Sequence, residues 1–153
     1  MTGKHVTGNI LRLLTAAAAL LAAGCVTIPM ADPAADHAAK AFTVAPGKSR
    51  IYVYRNENIG GAVTMNVLLD DHNMGQTVAK TYLVADVEPG KHKIVSIAEN
   101  QDLLELTTLA GRIYYVWQEV KMGFMYARNQ LQLVEEAVGR AGVLESMLAA
   151  PPK

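Results

Sequence analysis

From Ser49 onward the sequence predicts a mostly β protein, an antiparallel β-sandwich finished by a C-terminal α-helix. Three observations carry that expectation. Short apolar runs alternate with polar residues at the two-residue period of a strand. Turn-forming residues punctuate those runs at close spacing. Near the end, Val134, Val138, Ala141, Leu144 and Leu148 recur at helical spacing and stop before Pro151.

The elements follow in order. Arg50 to Tyr54 alternates, with Ile51 and Val53 on one side and Tyr52 and Tyr54 on the other. Met65 to Leu69 puts Met65, Val67 and Leu69 on one face, and Asp70-Asp71-His72-Asn73, with Gly75 just beyond, supplies a turn. Tyr82 to Val87 is the next strand. Glu88-Pro89-Gly90-Lys91 turns the chain, because Pro presets φ and Gly accepts a positive one, and His92 to Ala98 returns. Leu103 to Thr108 and Arg112 to Val120 are expected to pair across Ala110-Gly111. Ile113-Tyr114-Tyr115-Val116-Trp117 is apolar on both faces and belongs between two layers. Gly139 and Gly142 each weaken the last helix by about 1 kcal/mol relative to Ala, so that helix needs the sheet beneath it.

Upstream, the texture differs. Hydrophobic residues make up 51% of the 153, and much of the excess lies in Leu13 to Ala23, preceded by Lys4 and Arg12, with no acidic residue before Asp32. A basic start, an apolar run and small residues at a break is the secretory signal pattern. Eleven helical residues rise only ~16 Å, too little for a ~30 Å hydrocarbon core. Residues 26–47, interrupted by Pro29, Pro33 and Pro46, are expected to form a flexible tether spanning roughly 25 Å. Ala34 to Ala41 allows one short helical turn, but without an apolar face to dock. The expected organisation is therefore a removable signal at 1–24, a tethered start at 25–47 and a folded domain at 48–150.

Leu21-Ala22-Ala23-Gly24-Cys25 resembles the lipobox of bacterial lipoproteins, with Ala22 where Leu is usual. The resemblance implies cleavage between Gly24 and Cys25, diacylglycerol on the thiol and a further acyl chain, commonly palmitate, on the new amine. It also implies a bilayer as the first partner. Val26 stands where Asp would favour inner-membrane retention. In a Gram-negative envelope this implies an outer-membrane anchor facing the periplasm.

Val67-Leu68-Leu69-Asp70-Asp71, Met74-Gly75, Val87-Glu88-Pro89-Gly90-Lys91-His92 and Ala110-Gly111-Arg112-Ile113-Tyr114-Tyr115-Val116 resemble a bacterial lipoprotein family, domain-of-unknown-function family 2846, over about residues 48–135. Its core is similar to the PEGA domain, a small β-sandwich. The resemblance implies a fold and transfers no catalytic residue.

The remaining chemistry is sparse. Fourteen basic residues balance fourteen acidic ones, so no basic field exists to recruit nucleic acid. Cys25 is the sole cysteine, which excludes an internal disulfide and, once acylated, a thiol nucleophile. Asp70, Asp71, His72 and His92 would make a metal site only if two turns met, and they read better as exposed turn residues. Met122-Gly123-Phe124-Met125 spaces two thioethers as copper(I) sites do, but reads better as packing or a contact loop. Ser49, Ser96 and Ser146 lie in no nucleophile context. Glu88 with Glu99, or Asp70 with Asp86, are the carboxylate pairs one could propose. No metal or other cofactor is implied.

The aromatics Tyr52, Tyr54, Tyr82, Tyr114, Tyr115, Trp117 and Tyr126 are more informative. Tyr52, Tyr54 and Tyr114 would form a binding patch if they shared a solvent face. An ordinary core with hydroxyls at its rim is the plainer alternative. The expectation is a non-catalytic binding or envelope-structural domain with an envelope protein or glycan as partner. The alternatives are a carbohydrate-binding or enzyme-accessory module, which needs an aromatic platform, and an envelope hydrolase, which needs an acid–base pocket.

Overall fold

The computed structural model describes residues 28–152 apart from 60, 62 and 126. The expected signal at 1–24, Cys25, Tyr126 and the first two tether residues lie outside the described residues. The fold is mostly β, with two sheets and a C-terminal helix, as expected. In chain order the elements are α1 (Pro33–Ala39), β1 (Ser49–Arg55), β2 (Met65–Leu69), β3 (His72–Thr77), β4 (Thr81–Val87), β5 (Gly90–Ile97), β6 (Gln101–Thr108), β7 (Ile113–Met122), β8 (Ala127–Val134), α2 (Glu136–Leu144) and β9 (Met147–Leu148).

One sheet has the order β8-β7-β1-β4-β9 and the other β3-β2-β5-β6. Most ladders are antiparallel, but β1–β7 and β4–β9 are parallel. Ile51, Val53, Leu83, Val116 and Leu131 of the first sheet meet Val67, Ile94 and Leu106 of the second in a common aliphatic core. On its other face the first sheet carries both helices over a second core of Tyr52, Tyr54, Tyr82 and Tyr115, with Ala39, Phe42 and Val143. β7 therefore lies between two layers, as its continuous apolar run predicts.

Several local expectations change. The Glu88-Pro89 turn does not close a hairpin. It carries the chain from β4 in one sheet to β5 in the other, and β5 pairs with β6. Nor do β6 and β7 pair across Ala110-Gly111; they too belong to different sheets. The 70–73 turn is tighter than expected. Asp70 and Asp71 both have positive φ, the geometry of a two-residue type I′ hairpin, and His72 already begins β3. The C-terminal helical pattern stops at Leu144, and Met147 and Leu148 instead join the sheet edge beside β4. Val134 closes β8, whose pairing with β7 over Tyr115 to Met122 was not foreseen.

The largest correction concerns the tether. Residues 28–42 are docked. Met30 bridges Ala149 in antiparallel sense, Ala31 N–H donates to Leu148 O, and Ala150 N–H donates to Pro29 O. Asp32 caps α1 by accepting from Ala34 N–H, with Pro33 opening the helix. Ala39 and Phe42 are buried, and Ile28 is only 7% exposed in the aliphatic core. No apolar stripe advertises this helix because its contacts are not a stripe. It buries one alanine, passes a phenylalanine to the next turn and fixes Asp36 by polar bonds.

Candidate functional site

The three expected patch tyrosines do not share a surface. The parallel register aligns Tyr52 with Tyr115 and Ile51 with Tyr114. Tyr52 and Tyr54 thus point under the helices, while Tyr114 points toward the aliphatic core. Tyr52 is 0% exposed, and its hydroxyl donates to Ala39 O at 2.6 Å. Its ring stacks on Tyr115 at 5.4 Å. Burial pushes the Tyr54 and Tyr115 hydroxyls up to about 12. The tyrosines are a core, and an aromatic platform made of Tyr52, Tyr54 and Tyr114 is excluded.

Two glycines explain the closeness of this layer. A Cβ on Gly139 would sit 2.1 Å from Tyr115 Cβ, and one on Gly142 would sit 2.1 Å from the Tyr54 ring. What weakens α2 as an isolated helix is therefore what lets it lie on the rings. The layer's polar pin is Asp36, whose carboxylate accepts from Tyr82 Oη, Leu148 N–H and Lys40 Nζ. Desolvation alone would raise this carboxyl, but those donors outweigh it and hold it below its ordinary range.

The two turns bearing Asp70, Asp71, His72 and His92 do come together. His92 Nδ1 lies 2.7 Å from Asp70 Oδ2, and Nε2 lies 2.7 Å from Glu88 O. A backbone carbonyl only accepts, and so does an ionised carboxylate. Both contacts are hydrogen bonds when both ring nitrogens donate, so the site favours the imidazolium form of His92. Desolvation opposes that charge, but Asp70 and the Glu88 carbonyl outweigh it and raise the imidazole above its ordinary 6.5. Burial likewise works against the Asp70 carboxylate, yet Lys93 N–H and His92 hold it below its ordinary range. His72 Nδ1 donates to Asp70 O, and Lys93 Nζ pairs with Asp71. The cluster is a clasp joining the β2–β3 and β4–β5 turns at one side of a shallow groove. Both His92 nitrogens are engaged within the clasp. Among the described residues no three His, Cys, Asp or Glu side chains are placed to hold a metal ion.

The proposed carboxylate pairs are separated. Glu88 precedes β5 and Glu99 follows it, so they stand at opposite ends of the sandwich. Asp86 holds Arg50 in a two-bond ion pair, away from Asp70. Ser49, Ser96 and Ser146 are buried and bond to Val87 O, the Gln118 and Asn129 amides, and Gly142 O, respectively.

Sequence reasoning missed two features. In the far half of the sandwich interior Gln118 bridges Thr77 and Ser96, and fully buried Arg55 donates to Val63 O and Ile59 O. At the β7–β8 turn the Glu99 carboxylate accepts from Phe124 and Met125 N–H at 3.1 and 2.9 Å. It holds a tip on which Met122, Phe124 and Met125 are 88%, 95% and 73% exposed. The Met-Gly-Phe-Met spacing was the only signal for that tip, and it marks an exposed loop rather than packing.

The family model described as "Protein of unknown function (DUF2846)" matches residues 45–130. The chain belongs to this family. The match spans most of the stretch over which the strand and turn motifs carried the resemblance. A Haemophilus influenzae protein described as "Uncharacterized protein" is 31% identical over 134 residues, which cover 86% of this chain and 79% of the relative. That overlap reaches beyond the family match, so it includes part of the segments that flank it.

Proposed function

We propose that this chain is a membrane-anchored lipoprotein, cleaved between Gly24 and Cys25 and acylated on Cys25. Its PEGA-like β-sandwich would serve as a non-catalytic binding or envelope-structural domain on the periplasmic side of an outer membrane. The observation that carries this reading is the place of the sole cysteine. Cys25 directly follows the run Leu13 to Ala23 and Gly24, and the folded domain begins three positions later with buried Ile28. No helix among the described residues is long and apolar enough to cross a membrane, so acyl chains are the means of attachment this reading requires. Each buried methylene contributes ~0.8 kcal/mol, so one chain holds marginally and two or three hold stably.

The binding or bracing role is supported by how the polar side chains are used. His92, Asp70, Asp86 and Asp36 each brace one part of the fold against another. A hydrolase would need an acid and a base free to meet a substrate. A glycan module would need exposed rings where Tyr52 and Tyr54 are instead covered.

The test is Cys25→Ser in the full chain, expressed with radiolabelled palmitate. The parent should take up label and stay with carbonate-washed membranes. The variant should take up none and appear in the soluble fraction with an unchanged circular dichroism spectrum. A variant that still sediments with membranes as the parent does would sink the proposal.

A further inference from the structure

We infer that the acylated protein has no free stalk: one end of the sandwich lies directly against the phospholipid headgroups, and the Met122–Phe124–Met125 tip points away from that bilayer. This rests on the lipoprotein reading above and adds an orientation and a contact surface to it.

Three Cα–Cα steps of 3.8 Å place Cys25 no more than about 11 Å from Ile28, whatever path they take. Ile28 is not free to move, being buried in the aliphatic core, and the next residues are bonded to the β9 edge through Pro29, Met30 and Ala31. An acyl chain on Cys25 must enter the bilayer, so the surface around Ile28 must come to within about that distance of it.

The strand registers say which surface that is. β9 runs parallel to β4, with Thr81 beside Met147, and residues 28–31 run antiparallel to β9. Passing from Ala31 back to Ile28 therefore follows β4 from Thr81 toward Val87. The anchor emerges at the end that holds the Glu88-Pro89 corner and the Asp70-Asp71 turn. Ile28 and Pro29 line a groove with Ala150 and Pro152 that runs along the β3 edge from Asn73 through Gly75 and Gln76 to Asn66. The β7–β8 turn is at the other end. β1 is antiparallel to β4 and parallel to β7, so β7 climbs away from the anchor. Its ten residues at ~3.3 Å each carry the tip roughly 30 Å from Ile113.

Four ion pairs, Lys48–Glu88, Arg50–Asp86, Lys93–Asp71 and His92–Asp70, lie at the anchored end, where Lys91 and Arg112 are also exposed. The apposition itself requires only the acyl chains and the short strap.

The experiment uses the full lipidated chain in phosphatidylcholine vesicles containing a headgroup-nitroxide phosphatidylcholine as quencher. Asn73→Cys and Phe124→Cys each supply a reactive thiol for a bimane fluorophore, because Cys25 is already blocked. The nitroxide should reduce emission about twofold or more at position 73 and leave position 124 within about a tenth of its unquenched value. Inserting twelve Gly/Ser residues between Thr27 and Ile28 should remove most of the quenching at 73. Equal quenching at both positions, or no effect of the insertion, in a protein whose N-terminal peptide carries acyl mass overturns the apposition alone. An N-terminal peptide without acyl mass overturns both this inference and the lipoprotein reading.

Discussion

The two faces of the β8-β7-β1-β4-β9 sheet are built from alternate residues of the same strands, yet they are different materials. Toward the second sheet, Ile51, Val53 and Val116 are aliphatic and meet other aliphatic side chains. Toward the helices, Tyr52, Tyr54 and Tyr115 present rings whose edges must be cleared, and the Tyr52 and Tyr82 hydroxyls find acceptors in α1. The aliphatic face asks for volume and little else. The aromatic face needs glycines at two fixed places in α2 and backbone acceptors at fixed places in α1. That face is therefore expected to be the less tolerant of small changes.

The largest effect should come from the glycines. Gly142→Ala drives a methyl group into the Tyr54 ring and Gly139→Ala drives one into Tyr115. Each gains about 1 kcal/mol of helix propensity but should lose a net ~3 kcal/mol to overpacking, read as a lower urea midpoint. Val138→Ala, on the exposed side of the same helix, should stay within about 0.5 kcal/mol of the parent. Equal effects at 138 and 142 would mean that α2 does not lie on the rings.

Next come matched small changes on the two faces. Tyr52→Phe removes the hydroxyl bond to Ala39 O and should cost ~1 kcal/mol. It should also raise hydrogen exchange in α1, which that bond pins. Ile51→Val, one residue away on the aliphatic face, should cost a similar ~1 kcal/mol without affecting exchange in α1. Faster α1 exchange in the Ile51 variant would erase the distinction between the layers.

The smallest effect is expected at the clasp. His92 is raised above its ordinary value, so its contribution is complete below pH 6.5 and is lost as pH climbs through the higher folded value. Asp70 is lowered, so its contribution is present above pH 3.8 and is lost as pH falls below that. Asp70 is about half exposed, so the pair should be worth under about 1 kcal/mol. His92→Gln should flatten the decline in thermal midpoint between pH 6.5 and 8.5. An unchanged slope would place the titrating group elsewhere.

How much of this was legible in the sequence depends on the kind of signal each element leaves. β1, β2, β4, β5, β6 and β7 announce themselves by alternation, and the run from Ile113 to Trp117 correctly demanded two covering layers. β8 could have been found, since Gln130, Leu131, Gln132 and Leu133 alternate cleanly. β3 could not: its residues become a strand because two aspartates accept positive φ and fold it back on β2. α1 was misread as part of a tether because its docking depends on Asp36, Ala39 and Phe42, which show no period. The patch failed on register. Alternation put Tyr52 and Tyr54 on one face, but which residues of β7 joined them was a tertiary fact, and α1, one of the two helices that cover them, came from a stretch read as tether. For Asp70, Asp71, His72 and His92 the sequence left open whether the two turns meet; that they do, and that both His92 nitrogens are engaged there, is visible only in three dimensions.

The central claim is attachment through Cys25, and the mass of the mature protein's first tryptic peptide, from membranes of cells making the full chain, tests it most directly. The account predicts a peptide that begins at Cys25 and carries diacylglycerol on sulfur with an acyl group on the amine. A peptide that begins elsewhere, or an unmodified thiol at position 25, would contradict it.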